Sequence, residues 1–133
     1  MSTELKKIIE EDLRKRNITP RSVIQTCINS LNGILFYAKD GKSIILYVFG
    51  LIFEIIMGCV FKINGLEWIL IICIMGVLLS VELLNTAIEA ACDAITKHYN
   101  PLIKIAKDCG SAATFVIFTV TIILNFIIFL PKI

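Results

Sequence analysis

Residues 68–95 read WILIICIMGVLLSVELLNTAIEAACDAI, and this stretch decides the fold class. Its first half, 68–81, is an apolar run, and a transmembrane helix needs about 20 predominantly apolar residues. Its second half introduces four polar side chains at helical spacing: Glu82, Asn85, Glu89 and Asp93. The stretch therefore predicts a membrane-spanning helix that becomes polar toward one end.

The composition of the whole chain points to a membrane protein. Of its 133 residues, 57% are hydrophobic, and the mean hydropathy of +0.85 exceeds that of ordinary soluble domains. The net charge is only +2 and the sequence has no basic stripe interleaved with aromatic residues, so we do not expect nucleic acid as a partner. The five cysteines are scattered without CxxC spacing, which favours reduced, buried thiols over a disulfide framework or a zinc site.

Two further apolar stretches are long enough to cross a bilayer. The three predicted spans are about 43–61, 68–96 and 112–130. The sequence KINGLE, with Asn64 and Gly65 as turn residues, joins the first two spans as a tight hairpin. Before them, apolar residues recur at helical spacing within 1–20 and within about 20–38, which predicts two amphipathic helices. The second helix is suited to lie in the plane of the lipid headgroups.

These elements predict an all-α integral membrane protein, with three transmembrane helices plus amino-terminal amphipathic surface helices. Residues 1–20 form an amino-terminal extension and 21–133 the membrane domain. Eight of the thirteen basic residues precede the first span, three lie between the second and third, and two flank the opposite side. The positive-inside rule then places the amino terminus and the polar end of 68–96 in the cytoplasm, where ATP is available.

The polar residues of the second span share one helical face. At about 100° per residue, that face collects Glu82, Asn85, Glu89, Asp93 and Lys97. Carboxylates are costly at membrane depth, and intramembrane carboxylates are therefore functional candidates. Oxygen-rich sites suit Mg²⁺, which accompanies nucleotide phosphates. The alternatives are that Asp93 is a solvated residue at the helix end and that Glu89 pairs with a lysine.

A second polar cluster, IKIAKDCGSAATF at 103–115, precedes the third span. Lys107 could be an anchor whose ammonium group reaches the interface. At the level of the carboxylates, Lys107 and Asp108 would also serve phosphate binding. The sequence contains no P-loop, glycine-rich kinase loop or HEXXH motif, which excludes the soluble kinase and zinc-protease scaffolds.

Taken together, ELLNTAIEAACD followed by AKDCGSAA resembles the prokaryotic diacylglycerol kinase family, whose signature is E-x-x-N-[ST]-A-I-E-x-x-x-D and then A-K-D with small residues. The resemblance implies a homotrimer in the bacterial inner membrane, with active sites between subunits at the cytoplasmic boundary. It also implies transfer of the ATP γ-phosphate to a lipid hydroxyl, with Mg²⁺.

Carried over position by position, the resemblance makes Glu82 the general base and Asn85 its neighbour in the substrate site. It implies nucleotide contacts at six positions: Ser30, Glu89, Asp93, His98, Lys107 and Asp108. The metal ligand is Glu89, and an acidic residue just before the first span normally shares it. Gly41 occupies that position here, so either the adjacent Asp40 replaces the missing ligand or the site is weakened.

The sequence leaves several alternatives open. KDCGSAA favours diacylglycerol as the acceptor, whereas NTAIE and the Glu67-Trp68 pair are common in the branch that phosphorylates undecaprenol. A catalytically inactive relative is consistent with Gly41. An ion- or proton-translocating subunit would use the carboxylate stripe without requiring the AKD motif. Glu54, in the middle of the first span, is expected to be a hydrogen-bonded carboxyl in a helix interface rather than a substrate contact.

Overall fold

The computed structural model describes residues 23–39 and 42–133. These residues form four α-helices and a final 3₁₀ turn: α1 (Val23–Lys39), α2 (Lys42–Val60), α3 (Gly65–Ile95), α4 (Pro101–Phe129) and the turn Leu130–Lys132. No strand occurs in these two ranges, which confirms the predicted all-α class. The chain divides into two compact units, Met1–Gly33 and Ile34–Ile133.

The predicted amino-terminal elements are only partly described. The amphipathic helix expected within 1–20 lies outside the described residues, as do Asp40 and Gly41. The surface helix expected at about 20–38 corresponds to α1, on which Ile24 and Leu31 are exposed. Its placement at a membrane surface stays a prediction, as does the homotrimer.

Three helices in the described part of the chain are long and apolar enough to cross a membrane, namely α2, α3 and α4. Large apolar side chains along all three are exposed, as a lipid-facing surface requires. The prediction of three membrane-spanning helices is therefore confirmed in number, and the chain is an integral membrane protein.

The core of the second unit forms where the α2–α3 hairpin meets the end of α4. Its buried apolar residues are Ile63, Ile71, Met75, Leu78, Ile128 and Phe129. The ring of Phe129 lies 5.7 Å from that of Phe61, centroid to centroid. The Tyr47 hydroxyl of α2 donates to the Met75 carbonyl of α3 at 3.2 Å. These contacts hold α2, α3 and α4 together at the hairpin end and along α2.

Side-chain capping defines the hairpin between α2 and α3. The Asn64 side-chain oxygen accepts hydrogen bonds from the backbone N–H groups of Leu66 and Glu67, both at 3.0 Å. The Glu67 carboxylate accepts from the Asn64 N–H at 2.7 Å, which completes a capping box. Lys132 Nζ lies 3.0 Å from Glu67 Oε2. The end of the chain is therefore tied to the hairpin turn.

α4 begins at Pro101, well before the span predicted from Ala112. Asn100 caps it, because its side-chain oxygen accepts from the Leu102 N–H at 2.9 Å, and Pro101 suits the first helical position. The polar cluster at 103–115, predicted to precede the third span, therefore lies within α4, and its residues belong to the same helix as the span. α3 ends at Ile95 with Thr96 in an extended conformation. Lys97, expected on the helical stripe, therefore lies beyond the helix.

Candidate active site

The second half of α3 carries the predicted row of polar side chains. Glu82 and Asn85 are half-buried, whereas Glu89 and Asp93 are exposed. The Asn85 amide donates to Glu89 Oε1 at 3.4 Å. From Glu82 to Asp93 the helix rises by about 16 Å at 1.5 Å per residue. The row thus runs from the apolar part of α3 to its polar end.

α4 approaches this row closely at Gly110. Gly110 is buried, and a Cβ atom there would overlap Asn85 Oδ1 and lie 3.4 Å from Asn85 Cγ. It would also lie 3.7 Å from Ile88 Cδ1. Asn85 Oδ1 is buried and has no hydrogen-bond partner among the described residues. Glycine at position 110 therefore allows the AKDCGSAA segment to pack directly against the substrate position predicted at Asn85.

Lys107 and Asp108 are adjacent in the AKD motif, but they have different ion-pair partners. Lys107 Nζ lies 2.5 Å from Asp93 Oδ1, so it joins α4 to the polar row on α3. Lys104 Nζ lies 2.9 Å from Asp108 Oδ2, one helical turn along α4. Adjacent residues of a helix point about 100° apart, which is why Lys107 faces α3 and Asp108 does not share its partner.

The remaining predicted site residues lie elsewhere in the chain. The Ser30 hydroxyl donates to the Thr26 carbonyl of α1 at 2.9 Å and belongs to the first unit. The His98 backbone N–H donates to Thr96 Oγ1 at 3.1 Å, in the exposed connection between α3 and α4. Asp40 lies outside the described residues. The roles predicted for these three residues stay predictions.

The positions of the acidic side chains limit the kind of metal site that the protein could form. Within 23–39 and 42–133, no group of three or more histidine, cysteine, aspartate or glutamate side chains is arranged to hold a metal ion. Proteins commonly bind Mg²⁺ through one or two carboxylates, with substrate phosphates and water supplying the other oxygen ligands. The exposed carboxylate of Glu89 fits a metal that arrives with a nucleotide, and does not fit an all-protein metal cage.

A cavity of about 360 Å³ lies between α2, α3 and α4, and Glu82 forms part of its wall. We call it the upper cavity. Its lining is largely apolar and includes Leu46, Phe49, Phe53, Leu78, Phe118 and Ile122. Of the four residues in the polar row, Glu82 is the one that lines the upper cavity. Glu82 therefore lies between an apolar cavity and the charged end of α3.

Glu54 and Asn125 also line the upper cavity. Glu54 is 3% exposed, and its Oε1 accepts a hydrogen bond from the Asn125 amide at 2.5 Å. The structure therefore confirms the expectation of a hydrogen-bonded carboxyl in a helix interface. Sequence reasoning missed Asn125 as the partner, although a single amide within the apolar third span was a signal that could have identified it.

Comparisons with known proteins bear on the family to which the chain belongs. The sequence model of the prokaryotic diacylglycerol kinase family matches residues 28–129. An undecaprenol kinase of Bacillus subtilis (strain 168) is 41% identical over 78 residues, which cover 59% of this chain and 63% of that protein. A diacylglycerol kinase of Pseudomonas aeruginosa is 52% identical over 54 residues, which cover 41% of this chain and 44% of that protein.

A diacylglycerol kinase of Escherichia coli (strain K12) is 33% identical over 87 residues, covering 65% of this chain and 66% of that protein. The matched segments span less than two thirds of the length of each of these three relatives. The family match, in contrast, covers most of this chain and includes α2, α3 and α4. The chain belongs to the prokaryotic diacylglycerol kinase family.

Proposed function

We propose that this protein is a lipid kinase that transfers the γ-phosphoryl group of ATP to the hydroxyl of diacylglycerol, producing phosphatidic acid. The observation that carries the proposal is the position of Glu82. This carboxylate lines an apolar cavity on one side and begins a row of charged side chains on the other. Such a boundary would allow a lipid hydroxyl and a nucleotide phosphate to meet at one carboxylate.

In the proposed reaction, Glu82 accepts the proton of the lipid hydroxyl as the hydroxyl oxygen bonds to the γ-phosphorus. The bond between that phosphorus and the bridging oxygen breaks, and ADP leaves with the bond's electron pair. General-base assistance of this kind typically contributes about 10²–10⁴-fold. Asn85 is proposed to hold the acceptor beside Glu82, from which it lies about one helical turn along α3.

The nucleotide is proposed to bind at the exposed end of the row. Lys107, which Asp93 holds at 2.5 Å, supplies positive charge for the phosphates. Glu89 is the proposed ligand of Mg²⁺, with Asp40 as a second ligand. When bound, the ion neutralises phosphate charge as the phosphoryl group is transferred.

Three further elements of the proposal rest on the family and on charge distribution. Ser30, His98 and Asp108 are proposed as additional nucleotide contacts. The active protein is proposed to be a homotrimer in the bacterial inner membrane. Its amino terminus and charged row would face the cytoplasm, because most basic residues lie on that side of the spans.

Undecaprenol is the second candidate acceptor. The observation in its favour is the 41% identity to the Bacillus subtilis undecaprenol kinase. Both lipids present a hydroxyl at the membrane boundary, so the chemistry proposed for Glu82 is the same for either.

The decisive assay uses purified protein in detergent with Mg-ATP and either diacylglycerol or undecaprenol. We expect ATP-dependent phosphorylation of one lipid, and its loss when EDTA removes Mg²⁺. Absence of phosphorylation of both lipids would contradict the proposal and favour an inactive relative. Glu82→Gln should abolish activity without lowering the melting temperature. Glu67→Gln is the matched control, because Glu67 is also on α3 but caps the hairpin, and it should remain active.

A further inference from the structure

The face of α2 that packs against α3 and α4 has a gap at Gly50. On that face, the Tyr47 hydroxyl donates to the Met75 carbonyl of α3 at 3.2 Å. Seven residues later, the Glu54 carboxylate accepts from the Asn125 amide of α4 at 2.5 Å. Gly50 lies between them, three residues after Tyr47 and four before Glu54, and therefore on the same side of the helix. A Cβ atom at Gly50 would nevertheless meet nothing within 4 Å among the described residues.

The space in front of Gly50 is the upper cavity, which both Gly50 and Glu82 line. The hydrogen bond between Tyr47 and Met75 places these two residues at one level of the antiparallel α2–α3 hairpin. From that level, Glu82 is seven residues away along α3, and Gly50 is three residues away along α2 in the opposite direction. At 1.5 Å per residue, Gly50 is therefore about 15 Å deeper in the spans than Glu82.

Position 50 does not need glycine for helix packing, in contrast to position 58. Gly58 follows Glu54 by one turn and is buried, and a Cβ atom there would lie 2.6 Å from Trp68 Cη2. No neighbour of this kind is found for Gly50 in the described part of the chain. Glycine inside a helix is less favourable than alanine. The effect of glycine at position 50 is therefore to keep the cavity free of a side chain.

We propose that Gly50 is a specificity-determining residue, which leaves room in the upper cavity for a hydrocarbon chain of the lipid alcohol whose hydroxyl is at Glu82. The inference rests on the proposed function for the identity of this ligand. The largely apolar lining suits a hydrocarbon chain, and the continuity of the cavity with Glu82 places the polar end of the lipid at the proposed base. A larger side chain at position 50 would exclude long chains and would not affect chains that end before this level.

The test compares Gly50→Leu with Gly50→Ala. Both variants remove a glycine from α2, so the difference between them isolates side-chain volume. Binding is measured as the rise in melting temperature on addition of ligand, which increases with affinity and does not require phosphoryl transfer. The purified protein is kept in cholate, a steroid detergent that brings no long hydrocarbon chain of its own. The probes are 1,2-dioleoylglycerol and 1,2-dihexanoylglycerol, whose chains end well before the level of Gly50.

For dioleoylglycerol, we expect Gly50→Leu to bind about tenfold more weakly than the native protein, whereas Gly50→Ala should bind nearly as well as the native protein. Loss of burial of about two methylene groups has an effect of this size. Dihexanoylglycerol should bind equally to all three proteins. Equal affinity of the native protein and Gly50→Leu for dioleoylglycerol would overturn the proposal, and so would an equal loss of affinity for both lipids.

The melting temperature without ligand tests whether the space is free. Both variants should melt at or above the temperature of the native protein, because the added Cβ meets no described atom and both new residues have a higher helix propensity than glycine. If Gly50→Leu melted well below Gly50→Ala, other protein atoms, those of a second copy of the chain included, would fill the space. That result would overturn the proposal.

A measurement on the native protein covers the case in which Gly50→Leu does not fold. A dioleoylglycerol analogue with a photoreactive diazirine halfway along one chain is irradiated with the protein, and labelled residues are identified by mass spectrometry. We expect labelling of Met75, which lines the cavity but is 4% exposed, and its suppression by excess dioleoylglycerol. Ile52, on the outward side of α2 and 51% exposed, is the control whose labelling should persist. Labelling of Ile52 without Met75 would overturn the proposal.

These results separate the role of Gly50 from the proposed function. Weaker binding of dioleoylglycerol by Gly50→Leu, in a protein that phosphorylates neither lipid, would reject the kinase activity and support the role of Gly50. An active Gly50→Leu variant with the native KM for dioleoylglycerol would reject the role of Gly50 and support the kinase activity.

Discussion

Alanine at Gly110 tests whether α4 packs directly against the predicted substrate position. The added Cβ would overlap Asn85 Oδ1 and contact Asn85 Cγ at 3.4 Å. Overpacking of this kind costs about 1–3 kcal/mol, and the higher helix propensity of alanine offsets about 1 kcal/mol of it. We therefore expect Gly110→Ala to destabilise the protein by about 0–2 kcal/mol.

Gly76→Ala is the matched control, because Gly76 is also within a long span. A Cβ there would meet nothing within 4 Å in the described part of the chain, so only the propensity gain of up to about 1 kcal/mol applies. Gly110→Ala should therefore melt several degrees below Gly76→Ala in detergent. Its catalytic rate should fall by roughly ten- to a hundredfold, because displacing Asn85 by about 1 Å misplaces the acceptor. Gly76→Ala should retain native activity.

A double variant shows whether the cost arises at the Asn85 contact. Asn85→Ala removes the overlapping oxygen, so Gly110→Ala/Asn85→Ala should be more stable than the sum of the two single effects predicts. Melting temperature is the measurement here, because Asn85 is itself a proposed site residue. Equal stability and activity of Gly110→Ala and Gly76→Ala would refute the close approach of α4 to α3 at this point.

Three other predictions use the same purified protein. Gly58→Ala should lower the melting temperature, because its Cβ would lie 2.6 Å from Trp68 Cη2; unchanged melting would contradict this packing. Asn64→Ala should cost about 1 kcal/mol by removing the α3 cap, and an unaltered unfolding curve would count against the capping box. Asp93→Asn should change the free energy of unfolding by less than about 1 kcal/mol, since exposed ion pairs contribute little. It should nevertheless raise the KM for ATP, because Lys107 loses the partner that positions it. An unchanged KM would contradict the role of Asp93 in positioning Lys107.

Much of the fold could be predicted from local sequence patterns. The three spans follow from apolar runs, because the bilayer itself supplies the environment that such runs require. The hairpin follows from Asn64-Gly65, and the start of α4 at Pro101 could have been predicted from Asn100 as a cap. The span prediction instead began at Ala112, because a hydropathy pattern reports which part of a helix is apolar and not where the helix begins.

The candidate site was predictable only as a set of residues on two segments. The row from Glu82 to Asp93 follows from helical spacing within α3, and the AKD motif marks its companion on α4. The pairing of Lys107 with Asp93 could not be read from spacing, because it depends on the rotation of α4 about its axis. Because of the same rotation, Asp108 forms its ion pair with Lys104 of α4 and not with a residue of α3.

The sequence by itself determined that this is a three-span membrane protein with a row of carboxylates at one end of its second span. Periodicity and hydropathy are local properties of a chain. Both depend only on residues that are close in sequence, so neither requires knowledge of how the helices pack. Only the tertiary structure decided which distant residues meet. Glu54 and Asn125 are 71 positions apart and hydrogen-bonded, and Gly110 packs on Asn85. Such contacts depend on the mutual register of whole helices, which many side chains set together.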